Sequence, residues 1–184
     1  MKMNFTKTLF ACASILCLLS CSSSLIATNG KKWNGTEVLQ KITDETVFYV
    51  DYEKVGHKSA LNTIDPSDIA SITMYEKSDK KVPKAIKDDI DNGVVLLITK
   101  KYAISNYRPK LANISKEYHD RTVTEPNDRD NLMYVINDEI LKPNVEGKLM
   151  NLKFSKVKSI VVLSADEAQK IYGSGANNGA VIIK

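Results

Sequence analysis

The chain is 184 residues long, with 26 Lys and Arg against 22 Asp and Glu and a formal net charge of +4. That near-balance excludes the strongly basic surface of a nucleic-acid binder and strong attraction to anionic lipid. Cys12, Cys17 and Cys21 are the only cysteines, so nothing beyond residue 21 can build a disulfide, a Cys-based metal site or a catalytic thiol.

The first element is an address. Lys2 and Lys7 precede an apolar run from Leu9 to Leu19, the charge-then-hydrophobic layout of a secretory signal. The run is far shorter than the roughly twenty residues a bilayer-spanning helix needs. Its end, "LLSC" at 18–21, resembles the bacterial lipobox, in which the Cys becomes lipid-modified; Leu19 is a looser match than the usual small residue, while Ser20 and Cys21 fit. The alternative is an ordinary signal peptide with an incidental Cys. An exported chain whose one remaining sulfur sits at the mature N-terminus favours Cys21 as a lipid attachment point, and two or more acyl chains anchor a protein stably to a membrane. Residues 1–20 are thus the expected signal peptide, and their removal takes away Lys2 and Lys7, lowering the formal charge from +4 to about +2. Ser22 and Ser23 lack an inner-membrane retention Asp, which points to the outer membrane, periplasmic face. Residues 21–37, rich in Ser, Asn, Gly and Lys, read as the lipidated Cys and a flexible tether. Trp33 in it either docks on the domain or touches lipid headgroups.

From residue 38 onward the sequence repeats itself. "VFYVDYEKVG" (47–56) matches "LMYVINDEIL" (132–141), "PSDIASITMYEKSD" (66–79) matches "FSKVKSIVVLSADE" (154–167), and "DNGVVLLITK" (91–100) matches "NNGAVIIK" (177–184). The anchors keep nearly constant offsets: 85 from Tyr49 to Tyr134, 88 from Ser71 to Ser159 and 86 from Gly93 to Gly179. Three blocks in one order imply two copies of one unit, over 38–100 and 132–184, joined by a linker at 101–131.

Within each unit the β-branched and aromatic run after residue 47 or 133 predicts a strand closed by a polar turn, and "IASITMYE" and "VKSIVVLS" predict a second strand. Next comes a helix. In the second copy Ser164 is placed as N-cap, Glu167 completes a capping box and Gly173 stands at the end. In the first copy Pro83 fits only the first helical turn, so the helix is expected from about Val82. Asn92-Gly93 and Asn178-Gly179 are turn pairs leading into all-apolar strands that should be central in their sheets. The expected fold class is α+β: two β-β-α-β units in tandem, each a small mixed sheet with one short helix.

Those residues carry a resemblance. "MYVINDEIL" followed by "VKSIVVLSADEAQKIYGSGANNGAVIIK" resembles the plug domain of TonB-dependent outer-membrane receptors, especially the glycan-importing kind of Bacteroidota. The second copy matches over about 50 residues, with Tyr172, Gly173, Gly175, Asn178 and Gly179 in the signature. The first copy shares "FYVD", "DIASI" and "NGVVLLITK", with Asn92 and Gly93, but lacks "YGS". The resemblance implies a small α+β module and a Gram-negative, Bacteroidota-like envelope. A receptor would continue into a barrel of strands of about ten residues each; with the sequence ending at Lys184 and no recognisable box for the energy-transducing partner ahead of the first copy, transport is not expected.

The glycines 173, 175 and 179 are expected to serve as a helix stop, a tight crossing and a turn. A phosphate loop would need Lys and Ser or Thr entering a helix, whereas here glycine follows a helix and leads into a strand. His57 and His119 lie in different copies without companion ligands. "DDIDNG" and "PNDRDN" lack the ligand ladder of a calcium loop, and "GSG" at 173–175 lacks the flanks of a nucleophile elbow. No metal, no cofactor and no catalysis are expected. The linker carries Tyr102, Tyr107, Arg108, Tyr118 and Arg121, the residue types of binding hot spots; otherwise it extends "LLITKKYAI" as strand and continues as a polar connector. Two function classes follow: a lipoprotein held to the membrane by its N-terminal lipid that binds an envelope protein through surfaces or strand edges, or a periplasmic binder of a small ligand, a glycan or similar, in a cleft between the units.

Overall fold

The computed structural model describes residues 25–26, 32–33, 42–56, 63–124 and 131–184. The chain is α+β, with two four-stranded mixed sheets, and divides into two compact units between Tyr102 and Ala103. A short antiparallel pair, β1 (Leu25–Ile26) and β2 (Lys32–Trp33), falls in the segment expected as tether, and β1 runs beside β5 of the first sheet. Cys21 and the apolar run at 9–19 lie outside the described residues.

The first sheet contains β3 (Val47–Val50), β4 (Glu53–Lys54), β5 (Ile69–Tyr75) and β6 (Val94–Thr99) in the order β4-β3-β6-β5. β6 is parallel to β3 and antiparallel to β5, and five of its six residues are buried. A strand with neighbours on both sides and apolar side chains on both faces belongs at the centre, as its composition implied. On one face Phe48, Ile72, Met74, Val95 and Leu97 form a core cluster. The 3-10 segment Lys84–Asn92 buries Ile86 completely. Pro83 is its N-cap, so the segment starts two residues later than Val82, and it is 3-10, not α.

The second unit repeats that sheet. β7 (Met133–Ile136), β8 (Glu139–Ile140), β9 (Ile160–Leu163) and β10 (Ala180–Ile183) take the order β8-β7-β10-β9, again with the last strand parallel to the first and antiparallel to the one before it. Four α-helices occur among the described residues: α1 (Lys100–Ile114), α2 (Lys116–Thr124), α3 (Val145–Met150) and α4 (Ala165–Tyr172). α1, α2 and α3 send Tyr107, Leu111, Tyr118 and Leu149 into a core with Tyr134, Ile160, Val181 and Ile183. α4 lays Ala168 on the opposite face beside Met133, Val135 and Ala180. Ser164 and Glu167 form the full capping box, and Gly173 ends the helix.

The duplication extends to single hydrogen bonds. Val47 N donates to Gly93 O and Met133 N to Gly179 O; Asp51 N donates to Leu97 O and Asn137 N to Ile183 O; Val55 N donates to Phe48 O and Leu141 N to Tyr134 O. Each pair is 86 residues apart, so Tyr134 is the counterpart of Phe48, not of Tyr49. The sequence anchor of 85 is one residue out of register, a slip that in a strand moves a side chain to the other face.

Residues 101–124 are helical where extension of the β6 strand and a polar connector were expected. Ala103, Tyr107 and Leu111 lie four residues apart on one buried stripe of α1, which continues through an internal Pro109. The second unit therefore holds more helix than the single one predicted, because its sheet has a wide apolar face that needs this cover.

Candidate binding recess

In the first unit, the turn between β3 and β4 has both central residues at positive φ: Asp51 at 53° and Tyr52 at 71°. That is the backbone of a two-residue hairpin whose twist matches its strands. Asn137 (48°) and Asp138 (68°) repeat it in the second unit. Asn and Asp tolerate this region, but a bulky Tyr does not, and its conformation costs about 1 to 3 kcal/mol.

A side-chain clamp over-determines the turn. Asp51 Oδ1 accepts from Thr99 N and Asp51 Oδ2 from Thr99 Oγ1, both at 2.7 Å. Thr99 Oγ1 in turn accepts from Tyr102 N at 3.1 Å, closing the first turn of α1 as an N-cap. The same three residues thus fix the hairpin, the end of β6 and the start of the helix. Tyr52 and Tyr102 meet as a tilted ring pair with centroids 5.8 Å apart, and burial pushes the Tyr52 hydroxyl above its usual range.

Beside this clamp is an open recess of about 490 Å³. Val50, Val55 and Ile64 supply its apolar part, Tyr102 an aromatic wall, and Asp51, Glu53 and Thr63 its polar rim. The volume is within the range of small-molecule sites, roughly 300 to 1,000 Å³. On β3 and β4, Tyr49 and Lys54 converge on Asp89 of the 3-10 segment, Lys54 Nζ donating at 2.8 Å. Lys54 and Tyr49 together hold the Asp89 carboxyl below its usual range, while the bond to Asp89 and burial push Tyr49 up to about 12. This group ties the strands to the segment covering them.

The aromatic residues of the expected linker part company. Tyr102 lines the recess, but Tyr107 and Tyr118 are only 2% and 0% exposed. Tyr118 Oη lies 3.0 Å from Tyr134 Oη, and the Tyr107 ring meets Tyr134 edge-on at 6.2 Å. Burial pushes Tyr118 up to about 12 and Tyr134 well above its usual range; it also raises Tyr107, against the opposing Arg108 guanidinium alongside. These tyrosines are satisfied core residues, which accounts for their presence without a binding surface. Arg121 Nη2 donates to the Asn178 carbonyl at 3.3 Å, tying α2 to the turn before β10.

The glycine signature does not converge on a site. Tyr172 packs on the Met133 and Val135 cluster, and Gly173 at φ 77° ends α4. Asn92 closes the 3-10 segment and Gly93, at φ 75°, turns into β6. The tight crossing expected at Gly175 is at Gly179 instead. A Cβ on Gly175 would stand 3.5 Å from Met133 Cε, an ordinary contact, whereas one on Gly179 would stand 2.5 Å from the Leu163 carbonyl oxygen, at φ 93°. Among the described residues, no three His, Cys, Asp or Glu side chains are grouped to hold a metal, and no helix is long and apolar enough to cross a membrane. His119 is exposed with Nδ1 3.3 Å from Asp120 Oδ1, and His57 lies outside the described residues.

The recess was missed in the sequence because its parts come from three separated stretches. The signal that was present is the "VDY" turn, which puts Tyr where the equivalent "IND" turn has Asp. Comparison with known proteins finds no family model, no curated protein and no solved structure that matches the chain.

Proposed function

We propose that this protein is a non-catalytic lipoprotein of a Gram-negative outer membrane, exported, anchored through lipid on Cys21 and facing the periplasm, whose two plug-like units act as a binding module for an envelope protein. The export and anchor parts rest on the sequence of residues 1–21. The binding part rests on one observation above all: among the described residues the second sheet ends in β9, which pairs with β10 alone, and Val161 on it is 43% exposed. An outer strand with an exposed β-branched residue can accept a partner's strand through main-chain hydrogen bonds, with side chains setting specificity.

Two measurements test the reading. Growth with an alkyne-bearing fatty acid should label the wild-type protein and leave Cys21→Ala unlabelled; equal absence of label in both removes the anchor. Crosslinking in the native envelope followed by purification should enrich one envelope protein with the wild type and much less with Cys21→Ala or with Val162→Pro, which removes an N–H on the side of β9 away from β10. Recovery unchanged by Val162→Pro would place the contact elsewhere, and no enriched protein at all would sink the partner reading.

A further inference from the structure

The two units differ most tellingly where their hairpins meet the following segment. The residue equivalent to Val55 is Leu141, which is buried and packs with Leu149 of α3 in the second core. Val55 is only half-buried, and the space beside it is the open recess. The second copy fills this place with its own side chains; in the first, the described residues border a recess and set Tyr52 and Tyr102 next to it, with Tyr52 held in a backbone conformation that tyrosine avoids. A costly conformation retained under a clamp is the kind of strain that collects at binding sites.

The lining has a definite chemistry. Among the described residues that line it, the only carboxylic acids are Asp51 and Glu53, and none is Lys, Arg or His. Both Asp51 oxygens already accept hydrogen bonds from Thr99, while Glu53 is exposed on β4. Val50, Val55 and Ile64 offer apolar contact, and Tyr102 presents a ring to the same space. Carboxylates beside an aromatic ring and an apolar floor attract a cation that carries an apolar body, and repel anions.

We infer that the first unit binds a small organic cation, an amine or quaternary ammonium with an apolar or aromatic body, in the recess between the β3–β4 hairpin and the first turn of α1. Glu53 is the ion-pairing group, Tyr102 the aromatic wall, and the Asp51–Thr99 clamp the device that holds the two in place. This site is independent of the lipid anchor and of any protein partner.

The test is an NMR titration of the full chain with phenyltrimethylammonium, set beside benzyl alcohol as a neutral probe and benzenesulfonate as an anionic one. Saturable shifts confined to the hairpin and the start of α1 are expected with the cation alone. Glu53→Gln should weaken binding about fivefold, the effect of one well-placed exposed ion pair, and Tyr102→Leu about threefold to tenfold. Val55→Phe, which fills the recess, should abolish binding while the second unit's signals stay in place. Absence of saturable shifts with phenyltrimethylammonium overturns the site, equal binding of the neutral or anionic probe overturns the cation assignment, and unaltered binding by Val55→Phe overturns its location. Fatty-acid labelling at Cys21 is unaffected by any of these results, so this inference and the anchor reading fail separately.

Discussion

At Gly179 two constraints meet that the sequence expectation had assigned to different glycines. Its φ of 93° is strained for any L side chain, and the Leu163 carbonyl oxygen leaves no room for a Cβ. Backbone oxygen cannot move aside without breaking the β9–β10 pairing, so Gly179→Ala is expected to cost about 1 to 3 kcal/mol. Gly175→Ala, in ordinary contact with a flexible Met133 side chain, is expected to lie within roughly 0.5 kcal/mol of wild type. Urea denaturation of the two variants checks the contrast, and equal destabilisation would refute the argument that the crossing is at 179. The tyrosines teach the same lesson: residue type marked Tyr102, Tyr107 and Tyr118 alike, and only burial separated one beside a recess from two in the core.

Among the elements, α4 was the most legible. Ser164 accepts from Glu167 N, and Glu167 Oε2 accepts from Ser164 N, the reciprocal pair that satisfies two otherwise orphaned helix donors. Ser164→Ala is expected to lose about 1 kcal/mol of stability, seen as a lower denaturation midpoint with an unchanged slope; a neutral effect would show the cap to be redundant with packing. The same helix in the first copy is a nine-residue 3-10 segment with Pro83 as N-cap and no side-chain cap on its first donors. α1 was hidden by Pro109 and by its Ser and Asn residues, which read as irregular chain. Its stripe of Ala103, Tyr107 and Leu111 was nonetheless present in the sequence at helical spacing.

For the molecule as a whole, the chain divides inside α1, between Tyr102 and Ala103, so that Ala103 and the residues after it belong to the second unit. Tyr107, Leu111 and Tyr118 belong to the second unit's core, so a fragment of residues 132–184 would expose the face they cover. Burying such side chains is worth roughly 1.5 to 3 kcal/mol each, comparable to the whole margin of a small domain. A fragment of residues 100–184 is expected to unfold cooperatively, and one of residues 132–184 to lack a cooperative transition. Circular dichroism during thermal unfolding checks both, and cooperative unfolding of the shorter fragment would show that α1 and α2 are dispensable to the second unit.

The sequence by itself determined the α+β class, the duplication, the central place of β6 and β10 and the cap of α4. Each of these is written in neighbouring residues or in one short period: apolar runs, turn pairs, a capping box, blocks recurring at a nearly constant offset. Only the tertiary structure decided that the offset is 86 and not 85 at the first strand, that Gly179 and not Gly175 is the tight crossing, and that residues 101–124 are core helices. It alone assembled the recess from β3, β4 and the start of α1. Those outcomes depend on which backbone atoms approach across a sheet and which apolar face requires cover, and such contacts join residues far apart in the chain.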